Sequence, residues 1–121
     1  MKKHRLPYMV AGAVLFAALF TGCTNERLED ELDFRKIGIN SMQSGDYEGA
    51  VAAFNSALSQ CVSKITDTEL DICYYKAAAQ YAGGDIEGAL ATYQAMIDYD
   101  GKNGNAYYLH GCLSLKQQDT D

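Results

Sequence analysis

Apolar residues fall at helical spacing along most of this chain, and one such stretch occurs twice. Gly45-Asp46-Tyr47-Glu48-Gly49-Ala50-Val51-Ala52-Ala53-Phe54-Asn55-Ser56-Ala57-Leu58 recurs as Gly84-Asp85-Ile86-Glu87-Gly88-Ala89-Leu90-Ala91-Thr92-Tyr93-Gln94-Ala95-Met96-Ile97. Each copy opens with Gly-Asp and places a Glu two residues after the Asp. A small residue follows five after the Gly and an aromatic nine after it. Glycine ends the preceding helix in left-handed backbone, and the aspartate accepts hydrogen bonds from the free N–H groups of the next helix. The glutamate favours that helix's positive end. Behind the caps, Tyr47, Ala50, Val51, Phe54, Ala57, Leu58 and Cys61 share one helix face, as do Ile86, Ala89, Leu90, Tyr93, Met96 and Ile97. Small Ala50 and Ala89 predict close approach of a neighbouring helix, with Phe54 and Tyr93 filling the space beside it.

The same pattern extends in both directions. Asn25 serves as an N-cap for a first helix carrying Leu28, Leu32, Phe34, Ile37, Gly38, Ser41 and Met42, which ends at Ser44-Gly45. The second helix runs from about Tyr47 to Val62. Thr66 with Glu69 three residues later makes a capping box for a third helix, about Thr68 to Ala82, with Leu70, Cys73, Tyr74, Ala77, Ala78 and Tyr81. The repeated motif opens the fourth. Asp100-Gly101-Lys102-Asn103-Gly104 breaks the pattern, and a fifth helix starts near Asn105 with Tyr107, Leu109, Gly111 and Leu115. No stretch alternates long enough for a strand, so an all-α domain of antiparallel helix pairs is expected.

The first residues have another logic. Lys2, Lys3 and Arg5 precede an apolar run from Leu6 to Phe20, followed by Thr21-Gly22-Cys23. A basic start, a short apolar stretch and a small residue before a cysteine make a secretory signal over residues 1–22. Phe20-Thr21-Gly22-Cys23 resembles a bacterial lipobox, with Phe20 where the motif usually has Leu. That resemblance implies cleavage before Cys23, a covalent diacylglycerol on its thiol, and a position on the extracytoplasmic face of a bacterial cell membrane. An uncleaved signal anchor and a secreted soluble protein are the alternatives. Residues 23–30 would be the lipidated cysteine and the start of the first helix. The chain has ten Lys and Arg against sixteen Asp and Glu; losing the three basic residues of the signal leaves seven against sixteen, a net charge of −9. Such a surface repels phosphate, so nucleic acid is not an expected partner, and membrane contact falls to the lipid.

The helical part resembles the tetratricopeptide repeats, whose unit is two antiparallel helices of about 34 residues with interlocking small and aromatic positions. In the first unit Phe34, Ile37-Gly38, Gly45, Ala50, Phe54 and Ala57-Leu58 match. The second matches with Ala77, Gly84, Ala89, Tyr93 and Met96-Ile97, and the third with Tyr107 and Gly111. The repeat domain spans 31–121, with units near 31–64 and 70–103 and a partial unit at 104–121, about two and a half repeats of an α-solenoid. The family proline is replaced by Val62 and Gly101, and the aromatic inside the first helix of each unit by Ser41, Gln80 and Ser114. The resemblance implies a peptide groove along the first helix of each pair. Its candidates here are Arg35, Ile39, Met42, Tyr74, Ala78, Tyr81 and Tyr108, with Leu32, Asp71, Asn105 and Cys112 beside them. The Lys and Asn of the family's carboxylate clamp are absent.

Little else carries chemistry. Cys61, Cys73 and Cys112 show no metal or redox spacing and are expected to be buried free thiols. No nucleophile–base pair, paired-carboxylate cleft or phosphate loop can be assembled, so no enzyme activity, cofactor or metal is expected. The leading expectation is a lipid-anchored scaffold holding a protein or peptide partner outside the cytoplasm. Alternatives are a partial repeat lipoprotein whose function lies in missing repeats, and an accessory subunit of a membrane complex. Self-association through the face of the fifth helix is a further expectation.

Overall fold

The structure is a computed structural model that describes residues 26–61 and 64–120, and in these residues the chain is all-α. The signal segment and Cys23 lie outside the described residues. Helix α1 covers residues 26–43. It is followed by α2 (Tyr47–Ser59), α3 (Asp67–Ala82), α4 (Ile86–Tyr99) and α5 (Gly104–Thr120).

The two copies of the repeated motif fold alike, bond for bond. Gly45 and Gly84 have φ of 83° and 90°, the left-handed backbone that glycine adopts without a Cβ clash. Around each, the preceding helix closes in the same way. Gly45 and Asp46 donate to the carbonyls of Met42 and Ser41, and Gly84 and Asp85 to those of Tyr81 and Gln80. Asp46 Oδ1 then accepts from the N–H of Gly49 and Asp85 Oδ1 from that of Gly88, both at 2.9 Å. A Cβ on Gly49 or Gly88 would collide with the capping carboxylate itself. The glycine three residues after each Asp is therefore part of the cap, a role that spacing alone does not reveal.

Consecutive helices pack on one another. Gln80 of α3 meets Thr92 of α4, while Ile65 before α3 meets Tyr99 at the far end of α4, so α3 and α4 run antiparallel. Two apolar clusters result. In one, Ala50, Phe54 and Ala57 of α2 join Ile72 and Ala79 of α3, with Phe34, Ile39 and Met42 of α1 packed against them. In the other, Ala77, Ala89, Tyr93, Met96 and Ile97 join Ala106 and Leu113 of α5. Ala50 and Ala89 are both fully buried, as expected of close-approach positions. Phe54 and Ile72 are the largest side chains buried completely, so removing the Phe54 ring would cost about 3–5 kcal/mol.

Three expectations are corrected. Helix α2 stops at Ser59, short of Val62, because Gln60 and Cys61 donate to carbonyls three residues back, at Ala57 and Leu58, which tightens and ends the turn. Leu28, Leu32 and Ile37 are exposed. The stripe of α1 that faces its neighbours runs through Glu31, Phe34 and Gly38 to Met42, because Phe54 seats against Gly38 and so sets the rotation of α1. The three described cysteines are not buried ones: Cys61 and Cys73 are half-buried, and Cys112 is exposed. Burial raises the Cys73 thiol, which keeps it protonated at neutral pH.

Candidate protein-interaction surface

The candidate groove residues lie on α1, α3 and α5. Arg35, Ile39 and Met42 fall four and three residues apart on α1, forming one stripe. Asp71, Tyr74, Ala78 and Tyr81 form a second on α3, and Asn105, Tyr108 and Cys112 a third on α5. Side-chain contacts tie the stripes together. Arg35 donates from Nε at 2.9 Å and from Nη2 at 2.6 Å to Asp71 Oδ2, linking α1 to α3. Its guanidinium also stands 5.2 Å from the centre of the Tyr75 ring, which stacks in turn on Phe54. On the other side, Lys116 Nζ lies 4.8 Å from the centre of the Tyr81 ring and reaches its hydroxyl, linking α3 to α5.

Each candidate has a definite role. Arg35 is committed to Asp71 and Tyr75, so it orders the surface and offers it no loose cation. Ile39 and Met42 are half-buried against the α2–α3 cluster. Tyr74 packs on the second cluster and donates its hydroxyl to Asn103 Oδ1 at 2.9 Å, holding the start of α5. The same Asn103 oxygen accepts from the N–H of Ala106. Ala78 is half-buried between Tyr74 and Tyr81 on the α3 stripe. Tyr81 and Tyr108 are exposed, and the neighbouring Cys112 thiol raises the Tyr108 phenol. The aromatic contact area open to a ligand therefore sits at the α3–α5 end, on Tyr81 and Tyr108.

Two features escaped the sequence. Glu31 of α1 is buried with its carboxyl against that of Glu69, and its Oε1 has no hydrogen-bond partner. Burial, the bond to Glu69 and that residue's charge raise Glu31 to about 7. Burial would raise Glu69 too, but hydrogen bonds from the Thr66 hydroxyl and N–H outweigh it and hold Glu69 below its ordinary value. The capping box was legible; that its glutamate also meets Glu31 follows only from the packing of α1 on α3. The second feature is an open apolar groove of about 630 Å³ between the end of α2, α3 and α4, walled by Leu58, Leu70, Cys73, Met96 and Tyr99. Gln80 is buried at its edge and meets the Thr92 hydroxyl at 2.7 Å.

Among the described residues, no group of three or more His, Cys, Asp or Glu side chains is placed to hold a metal ion. No helix among them is long and apolar enough to cross a membrane. The class that the described residues define is an all-helical protein with exposed aromatic side chains on α3 and α5. No protein-family model, characterised protein or solved structure matches the chain.

Proposed function

We propose that this chain is a membrane-anchored lipoprotein whose tetratricopeptide-like helical pairs form a scaffold for a protein or peptide partner outside the cytoplasm. It is not an enzyme in this reading, and its covalent group is the lipid on Cys23. The observation that carries the scaffold is the recurrence of one packing unit. The caps at Asp46 and Asp85 have the same geometry, and Phe54 packs in the first cluster as Tyr93 packs in the second. Repetition of this kind sets alternate helices side by side and leaves their outer stripes as one extended surface. The anchor rests on the basic and apolar start of the chain and on Phe20-Thr21-Gly22-Cys23.

The two halves of the proposal are tested separately. Replacing Cys23 with Ala should abolish labelling by a lipid probe; equal labelling of variant and parent would sink the anchor. For the scaffold, a photo-crosslinker is placed at Ala78, in the middle of the α3 stripe, or at exposed Glu87 on α4. In the native membrane, a discrete protein adduct from position 78 and none from 87 is expected. Adducts of equal yield from both positions would mean that the stripe is not a binding surface.

A further inference from the structure

Among the described residues, the start of α1 is fastened to the body at a single side chain. Of residues 26–33, seven are exposed, and Glu31 is buried with 4% of its surface open. From Phe34 onward the helix is held differently: Phe34, Ile39 and Met42 pack on the first cluster, and Arg35 grips Asp71. The first two turns are also weak as a helix in their own right. They carry five acids against one base, Arg27, and Glu26 with Asp30 and Glu29 with Asp33 set like charges one turn apart. The helix's positive end offsets part of that repulsion.

The single fastening is a carboxyl set against a carboxyl. Glu31 Oε1 is buried with no donor from the rest of the fold. Glu69 is buried as well, and its Oε2 accepts from the N–H and the hydroxyl of Thr66. Two ionised carboxyls repel in such a place, so docking requires one proton between them. It resides on Glu31, because the Thr66 donors hold Glu69 ionised. Protonated, Glu31 donates to Glu69 and joins α1 to α3; ionised, it sets two like charges together away from water.

The surrounding charges leave this pair to itself. On α1, Arg35 is taken by Asp71, and Arg27, one turn before Glu31, is exposed. On α3, Asp67 is exposed, and Lys76, two turns beyond Glu69, acts on Cys73. Lys64 before α3 is exposed, and Cys61 past the end of α2 donates to the Lys64 carbonyl. Helix α2 carries one charged residue, Glu48, at its start, the end away from Glu31.

We propose that Glu31 and Glu69 form a proton-operated latch: residues 26–33 lie docked on α3 while the two carboxyls share a proton, and come away when Glu31 gives that proton to water. Burial, the bond to Glu69 and that residue's charge raise Glu31 to about 7 in the docked form, against an ordinary 4.5. The docked form is therefore fully favoured below the ordinary value and progressively less as pH climbs through about 7. Glu69, held low, stays ionised throughout that climb. Release leaves the body intact, since the helix from Phe34 onward has its own packing. It lengthens the link between the body and the residues before 26, because eight residues span ~12 Å as helix and up to ~27 Å extended. The inference goes beyond the scaffold proposal and needs neither the lipid anchor nor the groove.

Hydrogen exchange on the full chain in detergent tests it. The amides of residues 30–34 are followed between pH 5.5 and pH 8, with those of residues 90–97 in α4 as an internal reference that cancels the pH dependence of exchange chemistry. Protection of 30–34 relative to α4 should fall about tenfold or more in the parent. In Glu31→Gln, whose amide donates to Glu69 at every pH, the relative protection should stay level. A parent whose relative protection does not change with pH would overturn the latch, and so would an equal fall in Glu31→Gln. The parent measurement stands without the variant, and far-ultraviolet circular dichroism verifies that the variant is folded.

Discussion

Gly38 of α1 and Gly111 of α5 are alike in sequence surroundings, yet one lies beneath a buried phenylalanine and the other faces open space. The difference is not local. Both are helix-interior glycines with an apolar residue one turn before and one turn after. What differs is whether another of the described helices arrives, and α2 arrives at Gly38 because Gly45 turns the backbone and Asp46 caps the new helix. A small residue in a helix therefore has no fixed meaning: where a ring sits on it, it is a packing requirement, and where none does, it only weakens the helix.

Truncating the ring breaks the comparison most severely. Phe54→Ala should lower stability by about 3–5 kcal/mol, because it opens a cavity over Gly38 at the centre of the first cluster. A chemical-denaturation midpoint close to that of the parent would mean that the cluster is not a core.

Substitution at the two glycines sharpens it. Gly38→Leu drives a side chain into the Phe54 ring and should cost about 1–3 kcal/mol or more. Gly111→Leu meets nothing and should stay within about 0.5 kcal/mol of the parent or gain slightly, since leaving glycine favours a helix. Thermal midpoints decide it, and similar shifts for the two variants would erase the distinction.

Capping should have a smaller and equal effect in the two copies. Asp46→Ala and Asp85→Ala each remove one hydrogen bond of 2.9 Å to a backbone N–H, and each should cost about 1 kcal/mol. Unequal losses would show that the copies are alike in geometry but not in energy.

The last effect is read through pH. Glu31 binds its proton more tightly in the fold, about 7 against an ordinary 4.5, so its contribution falls as pH rises through that window. Glu69 runs the other way: held low, it favours the fold above its ordinary value and loses that effect only as pH drops through its lower one. The thermal midpoint should therefore decline from about pH 5 to about pH 8, and Glu31→Gln, neutral throughout, should flatten the decline. An identical slope in parent and variant would remove Glu31 as its source.

The local parts of this architecture were legible because their causes are local. Gly45 and Gly84 had to be turn residues, Asp46, Asp85 and Thr66 had to be caps, and Ala50 and Ala89 had to be buried, since each follows from backbone sterics, hydrogen-bond valence or helical periodicity. The all-helical class followed from the same signals. Tertiary structure decided what depends on how helices rotate against one another. Periodicity placed Leu28, Leu32 and Ile37 on an apolar face, but Phe54 on Gly38 turns α1 so that Glu31 is buried and those residues are exposed. It likewise offered Tyr107, Leu109 and Leu115 as one face of α5, and packing against α4 takes Leu109 inward and leaves the other two out. An apolar pattern broad enough to admit two rotations leaves the choice to the neighbour's shape, and that shape belongs to residues far away in the chain.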